Sequence, residues 1–113
     1  ALSFVDALGG LGDTPGDLPR SKGLAGDRAG TLWIVDGAYD VVQGFDERGE
    51  LIGVFGGSGV EPGRFWLPSG LTTDQQGRIY VADTWNGRVQ VFETEPVPPP
   101  PSPPAAPTAE VRR

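Results

Sequence analysis

Cysteine, histidine and methionine are all absent from this 113-residue sequence. Without cysteine or histidine the chain has no disulfide, no thiol nucleophile, no imidazole acid or base and no ordinary structural zinc site. No apolar run approaches the roughly 20 residues that cross a bilayer as a helix, and no signal-peptide pattern is present. The missing initiator methionine predicts a removed leader or a piece of a longer polypeptide.

Basic residues are also few, with nine Lys and Arg against 15 Asp and Glu and a formal net charge of −6. Nucleic acids and anionic membranes repel a chain with a net negative charge, so both are disfavoured as partners. Glycine and proline are abundant instead, at 18 and 12 residues. This density favours many short elements joined by turns over long helices.

The composition changes sharply after Glu93. Residues 94–113 contain eight prolines and no large apolar side chain beyond two valines, which predicts a polyproline-II tail or linker. Proline cannot donate to a β-ladder, so Pro96 and the prolines of 98–101 are not expected to supply a regular outer strand. Residues 1–93, which hold every Trp, Tyr and Phe, are predicted to be the folded part.

The folded part contains an internal repeat. A shift of 47 residues places 4–46 on 51–93 without a gap, and thirteen of the 43 aligned positions are identical. In the second copy, apolar stretches at 69–73, 78–82 and 88–92 are separated by loops that open on Asp and close on Gly, a pattern typical of β-hairpins. Short strands at this spacing, with a period in the forties, predict four-stranded β-propeller blades.

The second copy resembles the NHL repeat, the blade unit of six-bladed NHL propellers. Ser21 stands where the first copy should have the family's proline, and Tyr39 and Val41 replace its Asn and Arg, so the first copy is less typical. The resemblance implies an all-β fold with two antiparallel blades. If the four strands of a blade are labelled a to d from the propeller axis outward, the strand order of this chain is d-abcd-abc. The positions that carry it are Pro68, Gly70, Asp74, Gly77, Tyr80, Val81, Asp83, Asn86, Arg88, Val89, Gln90 and Phe92.

Two blades cannot close a ring, because propellers use about four to eight. Residues 4–8 align with the outer strand of the first copy, 51–55, and so are expected to act as a strand d. Either this chain belongs to a longer propeller whose other blades lie elsewhere, or copies assemble. Three two-blade chains would then make a homotrimer with six blades.

Four aspartates open the predicted turns. One interpretation is a ring of carboxylates that coordinates Ca²⁺ at one mouth of the propeller, and the other is that each carboxylate accepts backbone N–H groups of its own turn. Because the position repeats in each blade, we expect the structural role. These residues are Asp27, Asp36, Asp74 and Asp83.

Candidate binding residues come from connecting segments, where a large aromatic side chain is not needed for the core. Trp66 and Trp85 lie in such segments, and Tyr39 occupies the equivalent turn of the first copy. Arg88 joins this surface as a candidate for an anionic ligand, although the acidic surroundings favour a solvated or locally paired arginine over that role. Trp33 and Tyr80 are expected to pack between blades. No catalytic, cofactor-binding or metal-binding residue is assigned.

The resemblance implies a non-enzymatic scaffold for protein interaction or ligand sensing, whose partners are proteins or the remaining propeller blades. The alternative is the C-terminal fragment of a six-bladed propeller enzyme, of lyase or lactonase type, with its catalytic residues on other blades. An acidic chain without cysteine, with a proline-rich spacer, suits an extracytoplasmic location.

Overall fold

The computed structural model describes residues 2–94, which form two antiparallel β-sheets. The first sheet contains β1 (Ser21–Gly26), β2 (Leu32–Asp36), β3 (Val41–Phe45) and β4 (Leu51–Gly56), in that order. The second contains β5 (Gly70–Thr73), β6 (Arg78–Asp83) and β7 (Arg88–Glu93). Within the described range the only helical element is the 3₁₀ turn Thr84–Asn86. The predicted all-β architecture, in which two antiparallel blades form part of an incomplete propeller ring, is therefore confirmed.

Three hairpins use the same turn chemistry. In each, the Oδ1 of an aspartate accepts hydrogen bonds from the backbone N–H groups two and four residues later, with N···O distances of 2.9 Å. A glycine three residues after the aspartate adopts a left-handed φ of 80° to 89°, which costs glycine nothing because it has no Cβ. The turns begin at Asp27, Asp46 and Asp74.

The two sheets stack face to face, with the innermost strands β1 and β5 side by side. Alternate residues of β2 and β6 point into the space between the sheets, so Trp33 and Val35 meet Ile79 and Val81 there. Phe65, which has no exposed surface, enters this space from the segment that connects the blades. Its ring lies 6.3 Å from Phe55 and 5.7 Å from Phe92. The core is thus an interface between blades.

The first residues of the chain differ from the expectation. Residues 4–8, predicted to act as a strand d, form no strand, and Phe4 is 84% exposed. A strand needs a neighbour for its N–H and C=O groups, and the described part of this chain has no blade before β1. The predicted proline-rich arm at 94–113 lies, except for Thr94, outside the described residues.

Candidate functional site

Asp83, at the end of β6, is the buried centre of the loop cluster at one end of the second blade. Its carboxylate has no exposed surface and accepts hydrogen bonds from Trp66 N (2.8 Å), Asn86 Nδ2 (2.9 Å), Arg88 Nε (2.9 Å) and Gln90 Nε2 (3.0 Å). Burial alone would raise the pKa of this carboxyl, but the four donors outweigh it and hold the pKa below its ordinary value of 3.8. Asp83 therefore ties the connecting segment to its blade.

Asp36 is the counterpart in the first blade, and it is equally buried. It accepts two backbone hydrogen bonds, from Arg20 N at 3.0 Å and Ala38 N at 2.7 Å. No side chain of the described residues donates to it. The two blades thus share the buried aspartate but differ in what surrounds it.

Asp27 and Asp74 hold an aromatic side chain in addition to their own turns. Asp27 Oδ2 accepts a hydrogen bond from Trp33 Nε1 at 2.9 Å, and Asp74 Oδ2 accepts one from the Tyr80 hydroxyl at 2.8 Å. Burial opposes the charge of Asp74, but bonds from backbone N–H groups and from Arg78 and Tyr80 hold the pKa of its carboxyl well below 3.8. The bond to Asp74, with burial, raises the pKa of Tyr80.

Trp66 and Trp85, predicted separately as binding residues, form a pair. Their ring centroids lie 5.5 Å apart with a 48° angle between the planes, and the residues remain 46% and 62% exposed. Two backbone bonds set their positions: Trp85 N donates to Trp66 O at 3.1 Å, and Trp66 N donates to Asp83. The pair is therefore held by the framework while its rings face solvent.

Tyr39, the third predicted residue, lies on the neighbouring loop and is half exposed. The next residue, Asp40, is buried and binds the segment that follows the first blade, because Leu67 N donates to its Oδ1 at 3.0 Å and Ser58 Oγ to its Oδ2 at 2.7 Å. Asp40 thus joins the loop of Tyr39 to Leu67, the exposed neighbour of Trp66. We call the exposed side chains of Tyr39, Trp66, Leu67 and Trp85 the end surface.

Arg88, the fourth predicted binding residue, is turned inward. Besides Asp83, its guanidinium contacts the backbone oxygens of Glu61 at 3.0 Å and Arg64 at 3.1 Å. In this structure Arg88 joins the connecting segment to the blade, which matches the alternative of a locally paired arginine.

Asp40 and Leu67 were not identified from the sequence. Asp40 adopts a φ of 58°, close to the 66° of Gly87 at the aligned position 47 residues later. Asp tolerates this left-handed conformation better than most residues, so the alignment with a glycine was a usable signal. Nothing in the local pattern around Leu67 distinguishes it.

Residues 2–94 include no group of three or more Asp and Glu side chains that could hold a metal ion. The expectation that the chain binds no cofactor, with Ca²⁺ as the alternative, stays a prediction. No helix in this range is long and apolar enough to cross a membrane.

Comparison with known families gives a match to the NHL repeat at residues 65–92. No curated protein matches the chain. The matched range begins at Phe65, includes Trp66, Asp83 and Arg88, and ends with Phe92 of β7. Residues 65–92, which include most of the second blade, therefore match the NHL repeat, and this confirms the family resemblance seen in the second copy.

Proposed function

We propose that this chain is a non-enzymatic module that binds a protein partner through the end surface. NHL repeats commonly mediate protein interaction, and the Trp66–Trp85 pair is the observation that supports this role here. Tryptophan is enriched among residues that contribute most to protein binding. Both rings are exposed although their backbones are fixed, so little ordering entropy is lost when a partner covers them.

A peptide library displayed on phage and selected on the 113-residue chain tests this proposal. We expect the selected peptides to lose about tenfold or more in affinity on Trp85→Ala, because a buried tryptophan anchor contributes over 1.4 kcal/mol. Val60→Ala, an equally exposed apolar residue outside the end surface, is the matched control. Peptides that bind Trp66→Ala and Trp85→Ala as well as the unchanged chain would overturn the proposal.

We also propose that the outer face of the second blade contacts a further propeller blade, supplied by a second copy of this chain. Val89 is 62% exposed, whereas its counterpart Val42 is completely buried against the second blade. In the first sheet, Val42 pairs with Phe55 of β4. The 47-residue shift places Leu8 opposite Val89 in the same register, so residues 4–9 of another copy can add to the edge of β7 that no strand within residues 2–94 occupies.

A further inference from the structure

Two residues other than glycine adopt a left-handed backbone conformation within residues 2–94. They are Asp40, with a φ of 58°, and Leu67, with a φ of 48°. Although 27 residues separate them in the sequence, Leu67 N donates a hydrogen bond to Asp40 Oδ1 at 3.0 Å. Each also directly follows an exposed aromatic residue of the end surface, Tyr39 or Trp66. The two unusual conformations therefore meet at the proposed binding surface.

The conformation of Leu67 is unfavourable in itself. A left-handed φ brings the Cβ atom close to the following carbonyl oxygen. Pro68 restricts Leu67 further, because a residue before proline prefers extended conformations. Such a backbone conformation persists only where the surrounding structure imposes it. Here Trp66 N is fixed by Asp83 at 2.8 Å, and the N–H of the next residue is fixed by Asp40.

The left-handed turn exposes two consecutive side chains. In an extended segment, successive side chains point to opposite sides, so one of two neighbours would point inward. Trp66 and Leu67 are both exposed, at 46% and 40%, whereas Phe65 before them and Pro68 after them are buried. The turn thus places Leu67 beside Trp66 on the end surface.

The first blade has no such turn. Its residue aligned with Leu67 is Arg20, which has no left-handed φ and donates its N–H to the buried aspartate of that blade at 3.0 Å. The residue aligned with Trp66 is Pro19, which has no N–H to donate. In the second blade the buried aspartate accepts the N–H of Trp66 instead, and this leaves the N–H of Leu67 for Asp40.

Asp40 itself stands where a glycine would suffice for the backbone. Its aligned residue, Gly87, has a φ of 66° and no Cβ to clash. What aspartate adds is a carboxylate, and both of its oxygens bind the connecting segment. Oδ1 accepts the Leu67 N–H, and Oδ2 accepts the Ser58 hydroxyl at 2.7 Å. The carboxylate therefore has a role that the turn alone does not require.

We propose that Asp40 is a positioning residue for partner binding, because its carboxylate fixes the turn at Leu67 and with it the tryptophan pair of the end surface. This inference rests on the proposed function of that surface. Asp40 is buried, so it acts through its neighbours and does not touch the partner. The binding surface then extends over both blades, since Tyr39 belongs to the first and Trp85 to the second.

Two substitutions of Asp40 separate its carboxylate from its backbone conformation. Asp40→Gly removes the carboxylate and suits the left-handed conformation. Asp40→Asn keeps an acceptor oxygen and also tolerates that conformation. Exciton coupling between the two indole rings, measured by far-ultraviolet circular dichroism, reports the geometry of the pair without any ligand. Trp85→Phe identifies the part of the signal that belongs to the pair.

Peptides selected by phage display on the 113-residue chain are the probe for affinity. We expect Asp40→Gly to reduce the exciton signal and to weaken peptide binding about fivefold or more, because the tryptophan side chains must then be ordered during binding. Asp40→Asn should preserve both. Leu67→Gly should melt at a higher temperature than Leu67→Ala, because only glycine adopts this φ without strain.

A folded Asp40→Gly chain with an unchanged exciton signal, or with unchanged peptide affinity, would overturn the proposal. So would an Asp40→Asn chain that behaves like Asp40→Gly. If Asp40→Gly does not fold, the Leu67 variants decide, since a higher melting temperature for Leu67→Ala than for Leu67→Gly would contradict a strained turn. If no peptide is selected, the proposed function fails, whereas the exciton signal still supports or overturns the positioning role.

Discussion

Arg88 lies directly opposite Asp83 across the β6–β7 hairpin, and its Nε donates to a carboxylate that has no exposed surface. A buried carboxylate must be compensated by hydrogen bonds and opposite charge. The second blade supplies both from the β6–β7 hairpin, with Gln90 two residues after Arg88. The same arginine then reaches two backbone oxygens of the connecting segment, so a local pair also fixes how the blades are joined.

Replacing Arg88 by Val should destabilise the fold by about 2 to 4 kcal/mol, because it leaves Asp83 buried without its cation. Urea unfolding followed by tryptophan fluorescence measures this loss. Arg48→Ala is the control, since the Arg48–Glu50 pair is exposed and its loss should cost under about 1 kcal/mol. Equal effects of the two substitutions would contradict the assigned role of Arg88.

Acid should destabilise the protein. The pKa values of Asp74 and Asp83 are lowered in the folded state, so the stability they contribute is fully present above their unfolded pKa of about 3.8 and is lost as pH falls through the folded values. We expect a constant urea midpoint between pH 7 and pH 5, and a decline below pH 4. Asp74→Asn should flatten that decline. A midpoint that rises on acidification would contradict this.

Phe65→Ala should cost about 3 to 5 kcal/mol, the range for a large buried aromatic residue. Phe65 has no exposed surface and packs against both Phe55 and Phe92, so its removal leaves a cavity at the interface between blades. Thermal unfolding compared with Val60→Ala, on the same segment but exposed, measures the difference. A Phe65→Ala chain that melts like the control would show that the two sheets do not depend on this contact.

The 113-residue chain should associate in solution. The exposed face around Val89 and the edge of β7, which pairs with no further strand within residues 2–94, both need a neighbour. Sedimentation equilibrium is expected to give three times the 11.9 kDa of one chain. Val89→Lys should lower the mass measured in solution toward that of one chain, whereas Leu2→Lys, at a fully exposed position, should leave it unchanged. Reversible two-state melting of a dilute monomer would exclude the assembly.

Much of the fold can be derived from the sequence because its signals are local. The alternation along β2 and β6 and the Asp-to-Gly turns each depend on residues within one hairpin, where spacing alone decides which side chains share a face. The 47-residue period is read by comparing one copy with the other and needs no tertiary contact. Asp74 and Gly77 illustrate this, since three residues separate the acceptor from the left-handed position that the turn requires.

The arrangement of the site depends on contacts between distant parts of the chain. Trp66 and Trp85 are 19 residues apart and Asp40 and Leu67 are 27 apart, and they meet because the connecting segment lies across the ends of both stacked sheets. Local periodicity specifies strands and turns, whereas the stacking of one sheet on another decides which loops become neighbours.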